Sequence, residues 1–466
     1  MPLLTIAFLA LTFPSATCSL RGAEPPKAPV PKSTYLPFVY RYADTMLDRG
    51  RDTNGPLKSG LFYGALDRTT LAPLTQRPPA PRGVRERQRA GTEADALPGA
   101  NLQHDGNLLR LLYALSELSA KPKYREAADG ALRSLLQRGG LPETGLMAWG
   151  GDGYWQTQSD EPMSCRKDGL AGCTRPWLLW ERCFALAPEA SARFVEAEGK
   201  QHPKTLREAG FALRGWAVAY ARTKQSQFTN AIEKLLEQLE ARRDAKSGWL
   251  NAGDGQPEAS VAHVLSLAID CDGAAHQLPA ALGNRLRALA RRQDELVCAL
   301  GRNAKPSSGF ATHVTTATGQ PTPARTTPWA VGELSTAQLG MMFVSRYDNT
   351  GQSGYRELIL AGAEAYRAAG EPGEDVWPRD AGLAISLQLA AWRHSANAVY
   401  MEHARALADR AVEKFWGTNA LPRASGRVDH YESLTGADTL ALALLELHLH
   451  ILHITAVRCP SNTIDR

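Results

Sequence analysis

Residues 124–136 and 400–412 carry apolar side chains at the same six offsets. These are Tyr124, Ala128, Ala131, Leu132, Leu135 and Leu136 in one, and Tyr400, Ala404, Leu407, Ala408, Ala411 and Val412 in the other. The spacing is the stripe of an amphipathic helix. Each copy follows a helix with almost no polar face, read from His104–Ser119 before the first and Arg379–Ser395 before the second. A third copy runs from about 332 to 369, with Tyr355, Ile359 and Ala363 inward, and Phe228, Ile232, Leu235, Leu236 and Leu239 mark a fourth. A helix that is apolar on most sides must be covered on most sides. The amphipathic helices are the natural cover. Recurrence every roughly 35 to 50 residues, with no strand per repeat, predicts an all-α stack of helical hairpins. Apolar helices inside amphipathic ones close into a double ring; an open solenoid is the alternative.

The 466 residues suffice for one such ring with insertions. The start, "MPLLTIAFLALTFPSATCSL", reads as an export signal over residues 1–19, which predicts a secreted or periplasmic protein. A lipid anchor at Cys18 is the less favoured reading. Residues 20–34 form a Pro- and Ala-rich linker, 35–458 the ring with an irregular insertion at 76–100, and 459–466 a tail. A formal charge of +5 with scattered Lys and Arg excludes a nucleic-acid binder as the working class. The apolar segment 437–457 carries Glu446, His448, His450 and His453, so an inner helix accounts for it better than a membrane span. Those histidines face different ways, no C-x-x-C pair occurs, and no usable nucleotide loop appears. Neither metal nor cofactor is expected. Cys165 and Cys173 are spaced to close a small disulfide loop, or to remain free thiols.

In a double ring the inner helices start at one rim, so the residues before them converge on a common hollow. There the chain places His104, Asp105 and Asn107, then Trp329 and Glu333, then "DVWPRD" with Asp375, Trp377, Arg379 and Asp380. Before the last helix it places Asp429, His430, Tyr431, Glu432 and Asp438. Two Gly-rich turns add Trp149, Asp152 and Trp155, and Trp249 with Asp254. Tryptophans and carboxylates together suit a pyranose, whose C–H face stacks on an indole while its hydroxyls need polar partners. A carbohydrate is therefore the expected ligand. Each residue also has a plainer role: Asp105 and Asp380 cap helices, and the tryptophans fill turns.

The hairpin pattern from about Asn101 to Val457, with "TGLMAWG" and "DVWPRDAG" at its turns, resembles the six-hairpin (α/α)6-toroid carbohydrate-active enzymes. These include inverting glycoside hydrolases and uronic-acid polysaccharide lyases. "YADTMLDRGRDTNGP" at 42–56 is similar to the start of secreted pectate-lyase-like proteins. The resemblance implies an (α/α)6-type toroid that cleaves a glycan. A lyase must neutralise a uronate carboxylate, remove the C5 proton and protonate the leaving oxygen. Arg427, His430 and Tyr431 offer a clamp, a base and an acid for this, supplemented by His104 and Arg379. An inverting hydrolase instead needs two carboxylates roughly 6.5–9.5 Å apart, drawn from Asp105, Asp254, Glu333, Asp375 and Asp380. A binding protein without catalysis is the third reading. Around Asp48, Arg49, Arg51 and Asp52, an Arg–Asp network is expected to lock the first helix to the ring.

Overall fold

The computed structural model describes residues 33–91, 97–141, 143–151, 153–164, 175–200, 203–252, 256–301 and 309–462. The expected leader, most of the linker, the Cys165–Cys173 loop, Asp152 and Asp254 lie outside the described residues. Fourteen α-helices follow one another among the described residues. The first seven are α1 (Leu36–Asp48), α2 (Gly106–Ser119), α3 (Pro122–Arg138), α4 (Trp180–Leu186), α5 (Pro188–Gly199), α6 (Leu206–Thr223) and α7 (Ser226–Ala241). The rest are α8 (Val261–Ala275), α9 (Ala280–Gly301), α10 (Thr336–Thr350), α11 (Ser353–Ala368), α12 (Pro378–Ser395), α13 (Ala398–Ala411) and α14 (Ala437–Ile451).

The apolar helices pack side by side: α6 on α8, α8 on α10, α10 on α12, α12 on α14, and α14 on α2. The amphipathic α1, α3, α7, α9, α11 and α13 lie outside them, each against an inner neighbour or the next outer helix. Six inner and six outer helices make a closed toroid, not an open array. Closure is made by α14, which packs against both α1 and α2 near the other end of the chain. The short α4 and α5 pack between α3 and α6. There Trp149, Trp177, Trp180, Phe194 and Phe211 interlock with ring centroids 4.8–6.3 Å apart. At Gly382 the inner helices α12 and α14 come close along the backbone, since a Cβ there would lie 2.8 Å from the Leu440 backbone.

Four hairpins share one link. Two residues join α2 to α3, α6 to α7, α10 to α11 and α12 to α13, and the first of each pair is left-handed: Ala120, Lys224, Gly351 and Ala396 at φ 55–68°. These tight turns lie at one rim. Every long connection runs from an outer helix back to an inner one and so lies at the opposite rim. At that rim Ser260 and Ser335 cap α8 and α10, and Thr205 with Glu208 forms a capping box on α6. Chemistry-bearing loops are thereby gathered over the N-terminal ends of the inner helices.

Among the described residues seven short strands brace these loops: β1 (Ala65–Asp67), β2 (Gly99–Ala100), β3 (Gly153–Gln156), β4 (Glu161–Ser164), β5 (Glu258–Ser260), β6 (His313–Thr315) and β7 (His430–Glu432). β1 pairs antiparallel with β7, β3 lies between β2 and β4, and β5 pairs with β6. Two expectations need correction. The last helix stops at Ile451, not Val457, because His453 turns left-handed at φ 53°. The buried Asp52 carboxylate accepts from Ser59, Tyr63 and the Asn54 backbone N–H, so polar neighbours rather than arginines hold that loop. No described helix is long and apolar enough to cross a membrane.

Candidate active site

The long-loop rim holds a cavity of about 280 Å³ lined by His104, Arg175, Arg207, Gln338, Trp377, Arg379, Gly332 and Leu434, and by Gly83, Arg85 and Gln88 of the insertion. The contributors sit at the starts of different inner helices. His104 precedes α2, Arg207 lies in the first turn of α6, Gln338 in that of α10, and Leu434 just before α14. Among the described residues, four of those lining it are arginines and none is a carboxylate.

The segment "DVWPRD" divides its work. Arg379 sets its guanidinium 4.7 Å from the Trp377 ring centroid and touches the Asp380 carboxylate at 3.4 Å. Asp380 is fully buried, and its other oxygen accepts from the Trp377 backbone N–H, so it ties the start of α12 and orients Arg379. The Trp377 indole N–H donates to the Arg82 carbonyl at 3.0 Å. Asp375 lies outside this group and pairs with Arg427 at 2.9 Å and Arg82 at 3.3 Å. One motif thus lines the cavity with Trp377 and Arg379 and fastens the insertion with Trp377 and Asp375.

The insertion crosses the rim. Gly83 and Gly332 meet backbone to backbone, both at positive φ, and a Cβ on either would lie 2.6–2.7 Å from the other's Cα. Arg89 makes a two-point pair with Glu432 at 2.8 and 2.9 Å, and His430 Nε2 lies 2.8 Å from the same carboxylate. Burial opposes ionisation of Glu432, but the His430 and Arg89 hydrogen bonds outweigh it and hold its pKa below the usual carboxylate range.

His104 is buried, and burial together with Arg175 pushes its pKa down to about 3, so its imidazole is neutral at ordinary pH. The Arg175 side chain donates to the His104 carbonyl at 2.9 Å, and Gln103 donates to the Arg175 carbonyl at 3.0 Å. Asp105 is also buried, with neither carboxylate oxygen hydrogen-bonded. Burial and then the neighbouring Asp438 raise its pKa, which favours the neutral acid. Tyr42 and Tyr431 complete that cluster, with their hydroxyls 3.2 Å apart.

The proposed clamp, base and acid of the last loop do not converge. His430 and Tyr431 alternate on β7, so His430 meets Glu432, which Arg89 also holds, while Tyr431 points into the Tyr42–Asp105 cluster. Arg427 is exposed on Asp375. Asn107 donates to Thr439 at 2.9 Å across α14. Glu333 is exposed, while Trp149, Trp155 and Trp249 are buried in packing. Trp329 packs edge-on against Tyr366 and donates to the Gly370 carbonyl. Of the residues singled out in the sequence, His104, Trp377 and Arg379 line the cavity. Arg85, Gln88, Arg175, Arg207 and Gln338 were not singled out. The one sequence signal for Arg207 and Gln338 was their place in the first turn of an inner helix. Among the described residues no three His, Cys, Asp or Glu side chains are grouped to hold a metal ion.

A family model described as periplasmic pectate lyase matches residues 88–202, about a quarter of the chain. Among solved structures, a cellobiose 2-epimerase from Bacillus thermoamylovorans B4167 aligns over 89% of this chain and 99% of its own, at TM-score 0.52 and 10% identity. A D-mannose isomerase aligns over 89% and 97%, at TM-score 0.51 and 10% identity. The fold is the six-hairpin, glycosidase-like toroid. At that identity the structural likeness concerns architecture, and the chemistry must be argued from the cavity.

Proposed function

We propose that this protein is a secreted or periplasmic enzyme that cleaves an acidic, uronic-acid-containing glycan by β-elimination. The observation that supports this is the arginine-rich cavity lining, to which Arg85, Arg175, Arg207 and Arg379 all contribute. Guanidinium groups match a carboxylate in planar, two-point fashion, and in a half-buried site such contacts are strong. The reading also agrees with the pectate-lyase description of the matched family model.

In this reading Arg379, stacked on Trp377, binds the uronate carboxylate with help from Arg207 or Arg175, while the indole carries a sugar face. Neutralising the carboxylate lowers the cost of negative charge building at C5. The neutral His104 imidazole accepts the C5 proton, the electron pair forms the C4–C5 double bond, and the imidazolium returns the proton to the departing O4. The same carboxylate offsets the charge of Arg175, which after burial is the second cause of the weak basicity of His104. The inverting-hydrolase alternative draws less support. Its described candidates are exposed (Glu333), salt-bridged at the surface (Asp375) or buried outside the cavity lining (Asp105, Asp380).

The test offers pectate, alginate and a heparinoid beside neutral glucans and mannans, and follows the ultraviolet band of the unsaturated uronide. Growth of that band on an acidic glycan, lost in Arg379→Ala and in His104→Ala, is expected. New reducing ends without the band would replace elimination by hydrolysis, and turnover of neutral glycans alone would remove the acidic substrate.

A further inference from the structure

The segment after α14 returns through the middle of the ring. α14 is flanked in the inner ring by α12 and α2 and covered outside by α1, so a group touching all three inner helices lies in the lumen. Asn462 does so: its amide donates to Ser386 Oγ on α12 at 2.8 Å and to the Thr439 carbonyl on α14 at 3.2 Å, and its oxygen accepts from Asn107 on α2 at 3.4 Å. Arg110 of α2 donates to the Ser461 carbonyl at 2.8 Å. Cys459 lies lower, its Sγ 3.9 Å from the Leu442 carbonyl. From Cys459 beside Leu442 to Asn462 beside Thr439, the chain climbs antiparallel to α14 toward the cavity rim. Asn462 is 1% exposed.

Polar groups buried this deeply are retained where they fix a geometry, because each unpaired one is costly. Asn462 and Arg110 both bond Asn107, in the first turn of α2, three residues beyond His104. The returning segment therefore fills the lumen below the helix starts that line the cavity, without lining it itself, and braces the turn that presents His104. Above, the insertion is pinned across the rim by Trp377, Gly332 and Glu432. The space left, about 280 Å³, sits just below the usual range for small-ligand pockets.

We infer that the site is a blind pocket, backed from below by residues 459–462 in the lumen and roofed by the insertion, that admits the end of an acidic saccharide chain and not its middle. Asn462 is a positioning residue that acts through Asn107. This rests on the proposed action on acidic glycans, but product length can be read on whatever glycan is turned over.

The test follows viscosity and chain ends together as the full-length protein acts on polygalacturonate, with oligosaccharides of defined length alongside. Products of one or two units from the first time point, with viscosity falling no faster than ends appear, are expected. A collapse of viscosity after a few cleavages would overturn the blind pocket while leaving the acidic substrate in place. Asn462→Ala is expected to raise KM for short substrates on the order of tenfold and to lengthen the products, with Asn462→Asp restoring part of the change. A variant lacking 459–466 is expected to do more. A lower Tm with unchanged KM and product length would assign the segment to stability alone and overturn the backing role. Absence of turnover on every glycan would remove the proposed function and this inference with it.

Discussion

The hydroxyl of Tyr35, at the start of α1, donates to the Asp409 carboxylate of α13 at 2.8 Å, which joins the first outer helix to the last. The same contact recurs around the ring. Tyr124 of α3 donates to Asp44 of α1, Tyr355 of α11 to Asp294 of α9, and Tyr400 of α13 to Glu364 of α11. The tyrosines that marked the repeat in the sequence therefore also tie α3, α11 and α13 each to the outer helix before it.

Removing one such hydroxyl costs one hydrogen bond and leaves its carboxylate with water or another partner. Tyr35→Phe is expected to lower unfolding stability by about 1 kcal/mol. Tyr355→Phe is expected to cost less, because Asp294 keeps its two-point pair with the buried Arg346 at 2.8 and 2.6 Å. Denaturant unfolding of both variants checks the order.

A left-handed conformation costs a non-glycine residue roughly 1 kcal/mol or more. Ala396 adopts it between α12 and α13, where its counterpart Gly351 is free to. Ala396→Gly is expected to stabilise by about 0.5 kcal/mol after the entropy that glycine adds to the unfolded chain. An unchanged or lowered Tm would contradict this.

Glu432 has a lowered pKa in the folded chain, so it stays ionised where the unfolded chain has begun to take up protons. Its contribution is complete above the ordinary Glu value of about 4.3 and is lost as pH falls through the lower folded value. Limited proteolysis across residues 76–91 is expected to accelerate in that acid window. Arg89→Met, which strands the buried carboxylate, is expected to cause the same at neutral pH and to cost about 3 kcal/mol.

Glu198 behaves oppositely. Burial, with Glu208 nearby, raises its pKa to about 8. The unfolded chain ionises it first, so its contribution is complete below the ordinary carboxylate range and is lost as pH rises to about 8. Tm is expected to fall between pH 5 and roughly 8, and Glu198→Gln to flatten that decline.

Arginines at a half-open rim feel salt. Affinity for an acidic oligosaccharide is expected to drop as ionic strength rises, and Arg379→Ala is expected to lower kcat/KM on the order of 10²-fold and weaken that dependence. Arg427→Ala, exposed on Asp375 outside the cavity, is expected to leave kcat near its original value.

The ring was legible in the sequence because burial imposes a period on the chain, and Tyr124, Tyr355 and Tyr400 show it directly. The cavity lining was legible where a residue's place along an inner helix fixed its place in space, as for His104, Trp377 and Arg379. It was not legible where long loops decide the outcome. Arg85 and Gln88 reach the cavity because Trp377 and Gly332 hold the insertion, contacts between positions about 250 to 300 residues apart that no local pattern announces. His430 and Tyr431 show the converse. Neighbours in sequence suggested a shared task, but a three-residue strand sends them to opposite sides.

Closure through α14 has a consequence for how such a chain comes into being. Until residue 451 has been made, one flank of α2 and the inner side of α1 have nothing to rest on, and the partial ring is a crescent with two sticky tips. Contacts spanning nearly the whole polypeptide come last and slowly. A nascent chain of this design must be kept from its neighbours until its final helix arrives.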